Sequence, residues 1–217
     1  MTERTLVRRR PPAVRLRQAT TTDVWEIVGL LTEASVWAEA WTRLPMWPIP
    51  YPADRVRAAV DRGEVIVAVA GDRLVGTMTL SEEDKPIWGP QPPEAGYVHR
   101  LAVRREFAGR GLGARLLREA ETRIRRRGRS KIRLDTLASN ARLVRYYREL
   151  GFRRVGRVRA GPFGEERDLV LLERRLGPPR RGRPGRNRPS AERLGRRGPA
   201  AGAAGTAGRR ARTCRSG

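Results

Sequence analysis

Three glycines in five positions, Gly109, Gly111 and Gly113 in "REFAGRGLGARLLREAE", stand at the mouth of a helical pattern. Glycine inside a helix costs about 1 kcal/mol relative to alanine, so such a cluster implies backbone that takes positive φ or is closely approached. The usual partner for bare backbone at a helix N-terminus is a phosphate. Few other residues are suited to chemistry. His99 is the sole histidine, and its ordinary pKa suits proton transfer near neutral pH. Glu94 and Asp135 are lesser acid–base candidates; Asp135 ends a strand pattern, and strand ends face the cleft in open α/β sheets. The one cysteine, Cys214, leaves no cysteine metal cluster and no disulfide framework, so a metal-free protein in a reducing cytoplasm is expected.

The elements that must position these residues follow from changes of hydrophobic period. "AVRLRQAT" (Ala13 to Thr20) alternates like a strand, and "TTDVWEIVGLLTEASVWAEAW" opens with a Thr/Asp cap signal and continues with helical spacing at Trp25, Val28, Leu31 and Ser35. "ADRVRAAVDRG" reads as a short helix, and "EVIVAVA" and "RLVGTMTLS" flank the hairpin signal Gly71-Asp72. The loop "EEDKPIWGPQPPEAG" leads to the strand "YVHRLAV", in which the apolar residues Val98, Leu101 and Val103 break two-residue alternation as an inserted bulge residue does. The helix after the glycines buries Leu112, Leu116, Ala120 and Ile124 and stops at Gly128. A strand "KIRLDT", a helix "NARLVRYYREL" closed by Gly151, and strands near Phe152 to Val158 and Arg167 to Leu172 complete the order β-α-α-β-β-β-α-β-α-β-β.

Two other phosphate loops are weighed against this order. No Gly-Lys-Ser/Thr follows the glycines, which excludes a Walker loop. Gly109, Gly111 and Ala114 do spell G-x-G-x-x-A, with Asp135 at a strand end beyond, as in a dinucleotide-binding oxidoreductase. Against that, Arg104 to Ala108 separate strand from glycine where the turn should be tight, and too little chain follows Asp135 for a doubly wound sheet.

From Val14 to Leu172 the chain resembles the GNAT superfamily of acyl-CoA-dependent N-acetyltransferases, through "YVHRLAVRREFAGRGLGARLL", "IRLDT" and "NARLVRYYRELGF". The resemblance implies an α/β (α+β) GNAT fold, a mixed central sheet of about six to seven strands flanked by about four helices, spanning residues 13–176. It implies acetyl-CoA as co-substrate and the primary amine of a small molecule or amino acid as acceptor. The family's pyrophosphate loop, R/Q-x-x-G-x-G/A, falls on Ala108, Gly109, Arg110, Gly111, Leu112 and Gly113, with Ala114 following. Alanine at 108 departs from the pattern and leaves the grip to backbone amides, with Arg110 adding charge. By the same resemblance the backbone at Leu101, Ala102 and Val103 lies against pantetheine, Asn140 contacts the cofactor, and Tyr147 protonates the departing thiolate. Asn140 is equally a good helix cap, and Tyr147 shares a helical stripe with Leu143 and Leu150. His99 sits on the strand facing the acceptor side, as a base for the ammonium. "SEED" (Ser81 to Asp84) offers that amine negative charge, and Trp37, Trp41, Trp47 and Trp88 fall in segments that cover the acceptor.

The formal net charge is +24, and 45 of the 47 basic residues are arginine. Residues 177–217 hold twelve arginines against Glu192, so +11 sits in this stretch and +13 in residues 1–176. With Leu194 its one large aliphatic residue, the tail is expected to be disordered, as are residues 1–12. It reads as an electrostatic arm making nonspecific nucleic-acid contacts or as the product of GC-rich codon bias; the lack of stacking aromatics favours the latter. A non-enzymatic nucleic-acid-binding protein is the alternative from another functional class, but charge alone does not produce the glycine loop and its surroundings. No run approaches the ~20 apolar residues of a membrane span, so no membrane partner is expected.

Overall fold

A computed structural model describes residues 13–161 and 163–177; the expected disordered ends, residues 1–12 and most of the basic tail, lie outside them. The strands are β1 (Val14–Gln18), β2 (Val65–Ala70), β3 (Arg73–Ser81), β4 (Ala95–Val103), β5 (Lys131–Leu137), β6 (Arg153–Ala160) and β7 (Arg167–Arg175). The helices are α1 (Val24–Thr42), α2 (Ala53–Asp61), the single turn α3 (Lys85–Trp88), α4 (Leu112–Arg126) and α5 (Ala141–Glu149). The strands form one sheet in the order β1-β2-β3-β4-β5-β7-β6, antiparallel throughout except between β4 and β5.

Strand β2 shows how the layers form. Its sequence VIVAVA is apolar at every position, which suits a strand covered on both faces. Ile66, Ala68 and Ala70 enter the core made with Leu116, Leu117, Ala120 and Ile124 of α4, while Val65, Val67 and Val69 pack with Val24, Ile27 and Leu31 of α1 and Val56 of α2. Each face therefore has its own apolar cluster with the sheet between them.

Two expectations are corrected. The buried stripe of α1 runs through Val24, Ile27, Leu31 and Ser35, and Trp25 is 70 % exposed. One residue along a helix is a rotation of about 100°, so a stripe beginning at Val24 turns Trp25 outward. The stretch "EEDKPIWGPQPPEAG" is not wholly loop, because Lys85–Trp88 makes one helical turn. Pro86 lies within the first two positions of that turn, where its fixed φ is tolerated, and Ile87 is buried beneath it. Among the described residues no helix is long and apolar enough to cross a membrane.

Candidate active site

Strand β4 carries an extra residue. Between the pairs Thr77↔Ala102 and Thr79↔His99, two steps along β3 face three along β4, and Arg100 takes φ 53°. A non-glycine residue at positive φ is uncommon, and here it accompanies the bulge expected from the broken alternation. Parallel pairing of β4 with β5 runs through Ala95↔Lys131, Gly96↔Ile132 and Tyr97↔Arg133 and stops there. Beyond Tyr97 the two strands diverge, and the opening continues into a cavity of about 500 Å³ lined by Val98 to Leu101 of β4, Asp135 to Leu137 of β5 and Tyr147 of α5.

The glycine loop follows the far end of β4, through the short turn Arg105–Phe107. Gly109 and Gly111 have φ 73° and 76°, and no heavy atom lies within 4 Å of where a Cβ would stand on either. Both are therefore required by backbone conformation beside open space. Gly113 has a different reason: a Cβ there would stand 2.7 Å from Tyr146 Oη, so it admits α5 against α4. Gly111 is the N-cap of α4 and offers no side chain to the first amides, Leu112 to Ala114, which have no acceptor within the helix. Arg110 rests its guanidinium 5.7 Å from the centre of the Phe107 ring, and Ala108 ends the preceding turn in extended conformation.

At the acceptor end three ionisable side chains converge. Donor atoms of Asp84, His99 and Asp135 lie within 4.8 Å of one another, and His99 Nε2 is 3.9 Å from Asp84 Oδ2. Asp84's side chain is 8 % exposed, and its Oδ2 has no hydrogen-bond partner. Burial pushes the Asp84 carboxyl up to about 6 against the pull of the Ile87 amide. Burial, with the charge of Asp84 added, pushes Asp135 up to about 7. Burial, with Arg100 beside it, holds His99 down at about 4. The near-neutral titration expected of His99 therefore belongs to the two carboxyls. Three side chains of two ligand types suited to a cation, two carboxylates and an imidazole, meet here although no metal set is visible in the sequence, because the residues sit at three different elements.

Tyr147 is 4 % exposed and packs on Tyr146 and Phe152, yet it also lines the cavity. Burial, then the charges of Tyr146 and Asp135, keep its hydroxyl protonated far above the ordinary tyrosine value. Packing and access to the cavity coexist. Asn140 caps α5, accepting from the Leu143 amide at 3.0 Å. Leu101 and Val103 are half-buried and Ala102 buried along the divergent part of β4. Glu94 lies at the opposite end of β4, bound to Lys131, and has no part in the cavity. Trp47 lines it; Trp88 meets Tyr97 edge to face and takes the Arg133 guanidinium over its ring, Trp37 is exposed, and the Trp41 side chain lies outside the described residues. The other acceptor-side rings are Tyr51 and Phe163, which give no periodic signal in their loops.

The sequence matches the model of the acetyltransferase (GNAT) family over residues 25–152. This chain belongs to the GNAT acetyltransferase family. It is 33 % identical over 158 residues to the N-acetyltransferase YesJ of Bacillus subtilis, covering 68 % of this chain and 86 % of that one. It is 30 % identical over 156 residues to the N-alpha-acetyltransferase RimI of Mycobacterium tuberculosis, covering 70 % and 94 %. Among solved structures, the yncA acetyltransferase of Salmonella typhimurium, with its cofactor acetyl-CoA, superposes with a TM-score of 0.57 at 19 % identity, covering 76 % of this chain and 94 % of that one. The paia N-acetyltransferase of Thermoplasma acidophilum, in complex with coenzyme A, gives a TM-score of 0.59 at 17 % identity, covering 76 % and 99 %. As a GNAT N-acetyltransferase the protein is an acyltransferase, which replaces both the oxidoreductase and the non-enzymatic nucleic-acid-binding readings.

Proposed function

We propose that this GNAT enzyme moves an acetyl group from acetyl-CoA to the primary amine of a small molecule, directly, with both substrates bound at once. The observation that carries the reading is the opening between β4 and β5, with a buried acid cluster in its cavity and a glycine-lined helix N-terminus following β4 in the chain. Acetyl-CoA supplies an acetyl group already activated as a thioester. The amides from Gly109 to Ala114 hold its pyrophosphate, with Arg110 adding charge. The backbone from Leu101 through Ala102 to Val103 lies along its pantetheine arm, and Asn140 contacts the cofactor from the cap of α5. That the two structural relatives were solved with acetyl-CoA and with coenzyme A supports acetyl-CoA as the co-substrate.

An alkyl ammonium with pKa near ~10 must lose a proton before its nitrogen can attack. The Asp84–His99–Asp135 cluster receives that proton, His99 being neutral and the two carboxyls losing theirs near neutral pH. Nitrogen bonds to the acetyl carbon, the carbon–sulfur bond breaks, the Tyr147 hydroxyl donates a proton to the departing sulfur, and the second amine proton, released as the amide forms, restores the hydroxyl through solvent. A thiolate with pKa near ~8.5 leaves readily, so no Lewis acid is required and the reaction runs without a metal. The lone cysteine of the chain suits work in a reducing cytoplasm.

A cavity of about 500 Å³ suits a small acceptor. The likeness to RimI, an N-alpha-acetyltransferase, favours a second reading in which the amine is a peptide N-terminus. Purified protein mixed with acetyl-CoA and a panel of small amines, amino acids and short peptides separates the two. Thiol release with small acceptors is expected; release with peptides alone would establish the second reading, and silence across the panel would overturn both.

A further inference from the structure

The charged side chains lining the cavity sort into pairs and a remainder. Lys85 pairs with Glu83 at 3.0 Å and Arg167 with Glu165 at 2.6 Å, so those four largely neutralise one another. Asp84 and Asp135 remain with His99. Also unpaired are Arg55 of α2 and Arg100 at the bulge, next to His99 in the chain, and neither has a carboxylate within 4.0 Å among the described residues. Arg55 lies 4.5 Å from the centre of the Phe163 ring and Arg100 6.0 Å from that of Tyr51. The two rings meet edge to face at 5.8 Å. Arg100 also donates to the backbone carbonyl of Arg55 at 3.4 Å, so two guanidinium-bearing residues share one wall. Both lower the pKa of the Tyr51 hydroxyl against the larger opposing effect of burial, which places both charges beside it.

Like charges set side by side repel, and this chain already carries a large positive excess. Arg100 adds to that cost a left-handed backbone, one of two such non-glycine residues among those described. An arrangement of this kind is relieved by an anion, and guanidinium is well shaped to take a carboxylate through two hydrogen bonds. The cavity is thus lined both by unpaired acids and by unpaired arginines, with the Tyr51 and Phe163 rings beside the arginines.

We propose that the acceptor is a zwitterion, a primary amine that also carries a carboxylate, its ammonium directed to Asp84 and Asp135 and its carboxylate to Arg55 and Arg100. This inference rests on the acetyl-transfer reading for the identity of the amine end, and it narrows the acceptor to amino acids and related amino-carboxylates.

The test is a calorimetric titration of the full chain, with and without CoA, against matched pairs: phenylalanine and phenethylamine, tryptophan and tryptamine, leucine and 3-methylbutylamine, 4-aminobutyrate and butylamine. In at least one pair the carboxylate is expected to tighten binding at least tenfold. In an Arg55→Gln/Arg100→Gln variant that preference should collapse to within twofold. Arg55→Gln alone, on an exposed face of α2, should lose part of it with the fold intact. Absence of a carboxylate preference in every pair, or a preference that survives both substitutions, overturns the proposal. Thiol release is scored separately: a carboxylate preference in binding without turnover of any acceptor overturns the acetyl-transfer reading and leaves the anion site standing.

Discussion

Asp135 is a carboxyl whose charged form the fold disfavours, and the consequence has a definite sign. Its folded pKa, about 7, stands above the ordinary value of 3.8, so its contribution to stability is fully present below about pH 4 and is lost as pH rises through about 7. His99 runs the other way: held at about 4 against 6.5, its contribution is lost as pH falls from about 6.5 through 4. Asp135→Asn is therefore expected to raise Tm at pH 8, by about 2–4 °C for each kcal/mol gained, while lowering kcat/KM. The wild-type acid limb of kcat/KM between about pH 6 and 7 should weaken or move in the same variant. A pH series of melting curves and initial rates reads both. Tyr147→Phe keeps the ring against Phe152 and removes only the hydroxyl. It should lower kcat toward the low end of the ~10² to 10⁴ range for general acids with acetyl-CoA affinity little changed. Unchanged turnover with a lower Tm would make Tyr147 a core residue only. His99 stands out in the sequence as the sole histidine and Tyr147 by its match to a family position, and both line the cavity. Asp84 could be seen only as one acid in "SEED", since nothing local shows that it comes within 3.9 Å of His99 while Glu82, two residues earlier, accepts from Arg129.

At the scale of elements, the glycine loop and the bulge do the positioning, and both leave marks in the sequence. A bulge shifts every later side chain to the other face, which is why Val98, Leu101 and Val103 fall out of step. The divergence of β4 from β5 leaves no such mark, because strand pairing depends on residues distant in the chain. Gly111→Val places a branched side chain on backbone at φ 76° with open space around it. The strain falls on the loop at roughly 1–2 kcal/mol, and the new side chain occupies the proposed phosphate site. Loss of acetyl-CoA binding by calorimetry, with a folded circular-dichroism spectrum, is expected; wild-type affinity in the folded variant would refute the assignment. Gly113→Ala should instead cost stability, since its Cβ would press on Tyr146 Oη. The expected result is a lower Tm, and an unchanged melting curve would show that Tyr146 moves aside without cost.

For the whole molecule the large positive charge is divided, +13 in residues 1–176 and +11 in residues 177–217. Leu176 is buried against the core and the Gly177 carbonyl accepts from Arg125, so the described fold is tied down to its last residues. Truncation after Gly177 is expected to keep turnover of a small amine within a few fold and to weaken any salt-sensitive binding to DNA or RNA. A titration against a DNA duplex at two salt concentrations checks the second half. The central claim, direct acetyl transfer in the β4–β5 opening, is tested most directly by following thiol and N-acetylated product together in one reaction, with and without the amino-carboxylate acceptor. Equal amounts of thiol and acetylated acceptor, with neither formed when the acceptor is omitted, are the predicted result. Thiol released without acceptor while the protein itself becomes acetylated, or no thiol with any acceptor, would contradict it.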